Sequence, residues 1–199
     1  MKALPQVPLQ AVAGRRALLK FAMAAPLSGL LAGMASYSFA QSPKGVSVEE
    51  LQKNWKSLLA PGADIAADAT PLKLADAEWK KRLPGPAYSV LRHEGTERPG
   101  SSPLNNEKRP GVFVCAGCAL PLFTSAMKYD SGTGWPSFFT TIPGAFQTTT
   151  DFKMILPRTE YHCARCGGHH GHVFNDGPKP TGQRYCNNGV ALRFIAKQA

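Results

Sequence analysis

Runs of like charge are missing from this sequence: no block of five or more Lys or Arg occurs, although basic residues outnumber acidic ones 23 to 13. The usual footprint of a nucleic-acid partner is therefore absent. No internal repeat is found, which excludes stacked-repeat architectures, and no long helical period follows residue 85, which excludes a helical bundle. Cysteine is scarce as well. Of its five copies, four sit in two tight pairs, CAGC (Cys115, Cys118) and CARC (Cys163, Cys166). The fifth, Cys186 in RYCNNG, has no sequence neighbour to pair with. What is present in quantity is apolar side chain, 43% of 199 residues, enough for one compact core and one domain.

Acidic residues are absent from the first forty positions, where the basic residues are Lys2, Arg15, Arg16 and Lys20. The pair Arg15–Arg16 heads an uncharged stretch, FAMAAPLSGLLAGMASYSFA, that ends in small residues before QSPKG. Residues 1–40 read as a twin-arginine export signal with cleavage after Ala40, and the expected location is the periplasm. A spanning anchor is the alternative, since residues 21–40 are about long enough to cross a bilayer. Their Ala, Gly and Ser content and Pro26 disfavour it. Without the signal, 19 basic residues face 13 acidic ones, a net charge of +6. The expectation is a soluble basic monomer with no nucleic-acid partner and no membrane attachment once the signal is removed.

Residues 41–73 read as an N-terminal extension. SVEELQKNWKSLL begins with Ser47 and has Glu50 three residues on, a capping box, followed by Val48, Leu51, Trp55 and Leu58 on one helical face. A second short helix, DAEWKKRL, is expected to start with Asp76 as its cap and stop at Pro84. From there the texture is mainly β. AYSVLRH, GVFVC, PSFFTTI, FKMILP, EYHC, GHVF and ALRFIA are short β-leaning runs split by Gly, Pro and Asn, as in an antiparallel domain.

Two residues between thiols let both sulfurs face one point from a tight turn, and two such turns supply the four soft ligands of a tetrahedral site. Here 44 residues separate the pairs, so a metal would pin distant segments together. Gly117 and Gly167 are placed where the knuckles must bend. A structural zinc site of four cysteines is expected, with iron as the other metal; redox disulfides or two structural bridges are the alternatives in an oxidising compartment. Four protein thiolates leave no open position for substrate.

Cys186 is then a free thiol. In a strand, Arg184 and Asn188 share its face, so a guanidinium favours the thiolate; a buried structural cysteine is the bland alternative. GGHHGHVFNDGP concentrates His169, His170, His172 and Asp176, a pattern shared by metal sites and solvated loops. In SGTGWPSF, Gly132, Gly134 and Pro136 hold Trp135 in a sharp turn that presents it.

EGTERPGS, GVFVCAGCALPLF, YDSGTGWPSF, CARCGGHHGHVFNDGPKPTGQRYCNN and ALRF, in this order over about residues 75 to 195, resemble the B-type peptide methionine-R-sulfoxide reductases. The resemblance implies a domain over residues 74–199 of two antiparallel sheets with short N-terminal helices. It implies that Cys186 is the nucleophile, that Cys115, Cys118, Cys163 and Cys166 hold zinc, and that Trp135 walls the pocket for the substrate methyl group. His169, His172, Asp176, Arg184 and Asn188 take the polar active-site positions. A thiolate attacking sulfur also needs an acid, and His172 with its charge supported by Asp176 is the expected one. The substrates implied are oxidised proteins and peptides, and the sulfenic acid left on Cys186 must be reduced. Many relatives carry a resolving cysteine where this chain has Thr133, so an external thiol donor of the thioredoxin kind is expected. Asn187 and Gly189 replace residues that are commonly apolar and Ser. Two other readings stay open. One is an exported zinc-knuckle module that binds an acidic partner and is indifferent to Cys186. The other is a CxxC thiol-disulfide oxidoreductase that holds no metal.

Overall fold

Ser47 and Glu50 do form the reciprocal cap that their spacing implies. In a computed structural model that describes residues 46–153 and 156–198, the Glu50 amide donates to Ser47 Oγ at 3.2 Å. The Ser47 amide donates to the Glu50 carboxylate at 3.0 Å. The export signal and the cleavage after Ala40 lie outside the described residues. Among the described residues no helix is long and apolar enough to cross a membrane.

Helix α1, Val48–Lys53, continues as a 3-10 turn, Asn54–Leu58. Leu51, Trp55 and Leu58 lay their face on the core. The chain then runs across both cysteine knuckles as a strap. The Ala66 amide donates to the Ala119 carbonyl at 2.9 Å, and the Leu72 amide to the Arg165 carbonyl at 2.7 Å. Helix α2 is Asp76–Arg82, and its cap is Ala75, not Asp76. Asp76 is the first helical residue; its carboxylate accepts the Tyr88 hydroxyl and pairs with Lys80 at 3.1 Å, so it is occupied away from the helix end.

AYSVLRH is a helix, not a strand. Helix α3, Gly85–His93, carries Pro86 in its first turn and buries Ala87, Val90 and Leu91, the i, i+3, i+4 face that a seven-residue window left ambiguous. It ends where Glu94 takes a left-handed conformation, φ 54°.

Among the described residues nine strands follow: β1 Gly111–Cys115, β2 Pro121–Thr124, β3 Lys128–Tyr129, β4 Ser137–Phe138, β5 Phe146–Asp151, β6 Arg158–Cys163, β7 His169–Phe174, β8 Arg184–Asn187 and β9 Leu192–Ala196. They form two sheets, ordered β2-β1-β9 and β3-β4-β8-β7-β6-β5, antiparallel throughout. The mainly β expectation with two sheets and short helices holds. PSFFTTI contributes only Ser137–Phe138 as strand, and FKMILP falls in the connection between β5 and β6. There Phe152 and Leu156 are each 75% exposed, apolar side chains at a hairpin tip that no core covers. The sheets meet through aromatic side chains: Phe113 of β1 packs edge-on against Phe138 of β4 at 5.1 Å, and Phe123 of β2 stacks on Phe138 at 3.9 Å.

Candidate active site

A one-residue bulge decides which side chains share the working face of the larger sheet. Glu160 pairs with His172 and Tyr161 with Gly171, but His162 pairs with His169, so β7 carries one extra residue, His170. The bulge turns His170 into the core, fully buried, and leaves His169 and His172 on one face although they are three residues apart. His172 stands directly opposite Cys186 on β8, and Ser137 of β4 stands on its other side. Cross-strand partners at such positions have Cβ atoms about 5 Å apart. Gly171 permits the close pairing. A Cβ there would lie 2.0 Å from the Cys186 carbonyl oxygen.

Cys186 is half-buried in a pocket of about 140 Å³ lined by Trp135, His172, Phe174 and Asn188. Trp135 is presented as expected: Gly132 and Gly134 both have positive φ, 69° and 87°, and the indole nitrogen donates to the Glu97 carbonyl at 3.2 Å. Burial pushes the Cys186 thiol above its usual range, while the Arg184 guanidinium and the Thr133 hydroxyl pull it back. Arg184 thus acts in the anticipated direction but does not win over desolvation.

The carboxylates are paired differently from the sequence expectation. Asp176, 62% exposed, holds Arg184 through two bonds of 2.8 and 2.9 Å. The carboxylate on His172 is Asp151, at the end of β5, at 2.8 Å from Nε2. Arg158 also pairs with Asp151 at 2.6 Å. The Lys153 amide, His172 and Arg158 together hold the Asp151 carboxyl far below the ordinary carboxylate range. Arg184 lies over the Phe174 ring at 4.3 Å, so its charge is fixed from two sides. His169 does not line the pocket; it stands behind His172, ring centres 5.6 Å apart, against Glu160.

The four remaining cysteines converge. Cys115 and Cys166 sulfurs are 3.7 Å apart, Cys118 and Cys163 sulfurs 3.5 Å, and all four lie within 4.8 Å of one another. A disulfide requires about 2.05 Å, and all five cysteines are free thiols. Tetrahedral zinc with Zn–S of about 2.3 Å separates its sulfurs by about 3.8 Å. The donor set fits a structural metal, and Cys115, Cys118, Cys163 and Cys166 would hold it. The two knuckles match bond for bond. The Ala119 amide donates to the Cys115 carbonyl at 2.8 Å and the Gly167 amide to the Cys163 carbonyl at 2.9 Å. The bent residue after each pair is Ala119, φ 59°, or Gly167, φ 66°; Gly117 is not the counterpart of Gly167.

The SelR domain model matches residues 83–196. Over 160 residues the chain is 44% identical to the chloroplastic peptide methionine sulfoxide reductase B1 of Arabidopsis thaliana, covering 80% of this chain and 72% of that one. It is 49% identical over 121 residues to the peptide methionine sulfoxide reductase MsrB of Agrobacterium fabrum, 60% of this chain and 90% of that one. With the MsrB of Methanosarcina barkeri the identity is 50% over 125 residues, 62% and 88% of the two chains. The chain belongs to this SelR family of B-type peptide methionine sulfoxide reductases.

The positions where this reductase departs from the common pattern are packed for the residues they carry. Asn187 is fully buried on the core side of the sheet, where its Oδ1 accepts the Tyr161 hydroxyl at 2.9 Å and faces His170 Nδ1 at 3.2 Å. Its Nδ2 donates to the Asn188 carbonyl at 2.7 Å, so a polar side chain in an apolar place is satisfied. A Cβ at Gly189 would strike Ser102 Oγ at 2.0 Å. Two residues that the sequence reading did not single out organise this corner. Asp151 orients His172, and Glu97 ties the pocket walls together. The Glu97 carboxylate accepts the Gly189 and Val190 amides at 2.6 and 3.0 Å, and its own amide donates to Asn188 Oδ1 at 3.0 Å. The Asn188 amide nitrogen donates to the His170 carbonyl at 3.0 Å, so both ends of that side chain are held.

Proposed function

We propose that this reductase acts on the R epimer of methionine sulfoxide in proteins and peptides, with Cys186 as nucleophile. The observation that carries the reading is the placement of Cys186 opposite His172, with Trp135 in the same pocket. Sulfoxide oxygen is a poor leaving group until protonated. Burial keeps Cys186 protonated at rest, so the proton it gives up on attack is the one the oxygen needs, and His172, oriented by Asp151, is placed to pass it on. The Cys186 sulfur bonds to the substrate sulfur, the protonated oxygen leaves as the S–O bond breaks, and that oxygen then bonds to the Cys186 sulfur as the S–S bond breaks, leaving a sulfenic acid on Cys186 and the free thioether. The substrate sulfur is reduced by two electrons to the thioether. Arg184, held by Asp176, offsets the charge on the attacking sulfur.

With Thr133 beside Cys186 and the other thiols in the knuckles, the sulfenic acid is reduced from outside. One external thiol displaces water to give a mixed disulfide, and a second releases Cys186 and a disulfide product. A dithiol carrier of the thioredoxin kind fits this requirement. Zinc in the four-cysteine site stabilises the fold when bound and takes no part in the reaction. Residues 1–40 direct export by the twin-arginine route, with cleavage after Ala40 and action in the periplasm. The fold domain over residues 74–199 acts as a monomer.

The test is turnover of a peptide bearing each sulfoxide epimer separately, with a small dithiol. Consumption of the R epimer alone, abolished by Cys186→Ser, is expected, together with a sulfenic acid on Cys186 trapped when the dithiol is withheld. Asp151→Asn should lower kcat about a hundredfold, whereas Asp176→Asn should act through Arg184 on the pH dependence. Equal consumption of both epimers, or full activity of Cys186→Ser, would refute the reading.

A further inference from the structure

A second group of ligand-type side chains lies on the working face of the same sheet, beside His172 on β6 and β7. Glu160 Oε1 lies 3.2 Å from His162 Nε2 and touches His169 Nδ1. These three ligand atoms all fall within 4.8 Å of one another. Glu160 is 7% exposed and His169 3%, and His162 opens the group towards solvent. Glu160 Oε1 and His169 Nδ1 are fully enclosed, and neither has a hydrogen-bond partner among the described residues beyond its contact with the other. An enclosed carboxylate and imidazole pressed against each other need a positive charge at the contact, either a proton on the ring or a metal ion shared with His162.

A metal ion meets that need. Nitrogen and oxygen ligands at about 2.0–2.2 Å from a tetrahedral centre lie about 3.3 Å apart, close to the Glu160–His162 separation, whereas the shorter Glu160–His169 contact would have to open to admit the ion. The bulge at His170 is what aligns His169 with His162 here, as it aligns His172 with Glu160. The geometry points to a second metal site, two imidazoles and one carboxylate with a fourth position left for water. It takes a divalent transition ion of the imidazole-binding class: zinc, cobalt, nickel or copper. It is distinct from the four-cysteine centre in its donors, which are nitrogen and oxygen where the other four are thiolate sulfurs. The carboxylate cancels one of the ion's two charges, so the site binds with less affinity than the thiolate site and exchanges its ion. An ion there would fix the His169 ring behind His172 without touching Cys186, which lies two strands away from Glu160.

The experiment titrates Co²⁺ into full-length protein whose four-cysteine site is loaded with zinc and whose Cys186 is replaced by Ser, so that no free thiol competes. One further equivalent should bind, with visible d–d absorption, no thiolate-to-cobalt charge-transfer band and no zinc released. The ring protons of His162 and His169 should broaden in the proton NMR spectrum while zinc stays bound. His162→Gln should weaken cobalt binding by about tenfold or more. Retained zinc stoichiometry and an unchanged far-ultraviolet dichroism spectrum in that variant would show that it is folded. No uptake of a second ion, undiminished binding by folded His162→Gln, or a charge-transfer band with zinc release would each overturn the assignment.

Discussion

Removing the Glu97 carboxylate should loosen the pocket around Cys186 by a calculable amount. Its two oxygens accept the Gly189 and Val190 amides at 2.6 and 3.0 Å, just past Cys186 in the chain. Hydrogen bonds to a charged group contribute about 1.5–3 kcal/mol each, and a buried amide left unpaired costs about 1–3 kcal/mol. Gly189 is buried and Val190 is half-buried, so water can replace the second bond and not the first. Glu97→Ala should therefore destabilise the fold by about 2–4 kcal/mol, a large share of a typical 5–15 kcal/mol. Glu97→Gln, which keeps one acceptor, should cost about half as much. Activity should fall further than stability alone requires. The Glu97 backbone carries the Trp135 indole on its carbonyl and the Asn188 side chain on its amide, so a shift of this residue moves both pocket walls. Equilibrium urea unfolding measures the first effect and kcat/KM on a sulfoxide peptide, under conditions where the variant is folded, measures the second. A change below about 0.5 kcal/mol with unchanged kcat/KM would refute the reasoning, because that is the range of an ordinary surface substitution.

Stability should also fall in mild acid because of His170. Burial pulls its imidazole down to about 4, from an unfolded value near 6.5, so the unfolded chain takes up a proton that the folded chain does not. Folding loses about 1.4 kcal/mol per pH unit across that window, about 3 kcal/mol in all, and His170→Leu should flatten the pH dependence of the urea midpoint between pH 6.5 and 4. Arg184→Gln should move the alkylation of Cys186 to higher pH, since the guanidinium is the main influence favouring the thiolate; iodoacetamide kinetics on zinc-loaded protein would reveal an unmoved or lowered limb. At the knuckles, Ala119→Gly should stabilise by about 0.5–1 kcal/mol by relieving a left-handed alanine, φ 59°. Gly167→Ala should destabilise by about 1 kcal/mol, and equal effects of the two exchanges on thermal unfolding would contradict the matched geometry.

Much of the site was legible because it is written in contiguous motifs. Cys186, Trp135 and the four knuckle cysteines stand out by residue type and spacing, and the structure gathers the first two in one pocket and the other four in one cluster. Asp151 does not. It closes the polar strand FQTTTD, 21 residues before His172, and only the pairing of β5, β6 and β7 brings it there. Asp176, four residues from His172, looked like the nearer partner, but the strand carries it past the ring to Arg184. Glu97 was visible within EGTERPGS as a motif residue, yet its task depends on amides 92 and 93 residues away. The misread helix α3 failed for a local reason. AYSVLRH has too few residues to separate a period of 3.6 from a run of β-branched and aromatic side chains, and its Ala, Val and Leu are buried against the knuckles and β7 rather than across a sheet.

The single extra residue in β7 explains why one short histidine-rich segment serves two faces. In an unbroken strand His170 and His172 would share a face and His169 would oppose them. With His170 as the bulge, His169 and His172 both join Glu160 and Cys186 on the working face, and His170 turns inward to Asn187 and Tyr161. Asn187 then anchors β8 from the core side immediately next to Cys186, and Gly171 lets β7 approach the Cys186 carbonyl where any side chain would collide. The thiol is thus fixed by contacts made on the opposite face of its own sheet. A substitution there, such as Asn187→Leu, removes the Tyr161 partner without touching the pocket, so its effect on Cys186 would travel through the backbone of β8 alone.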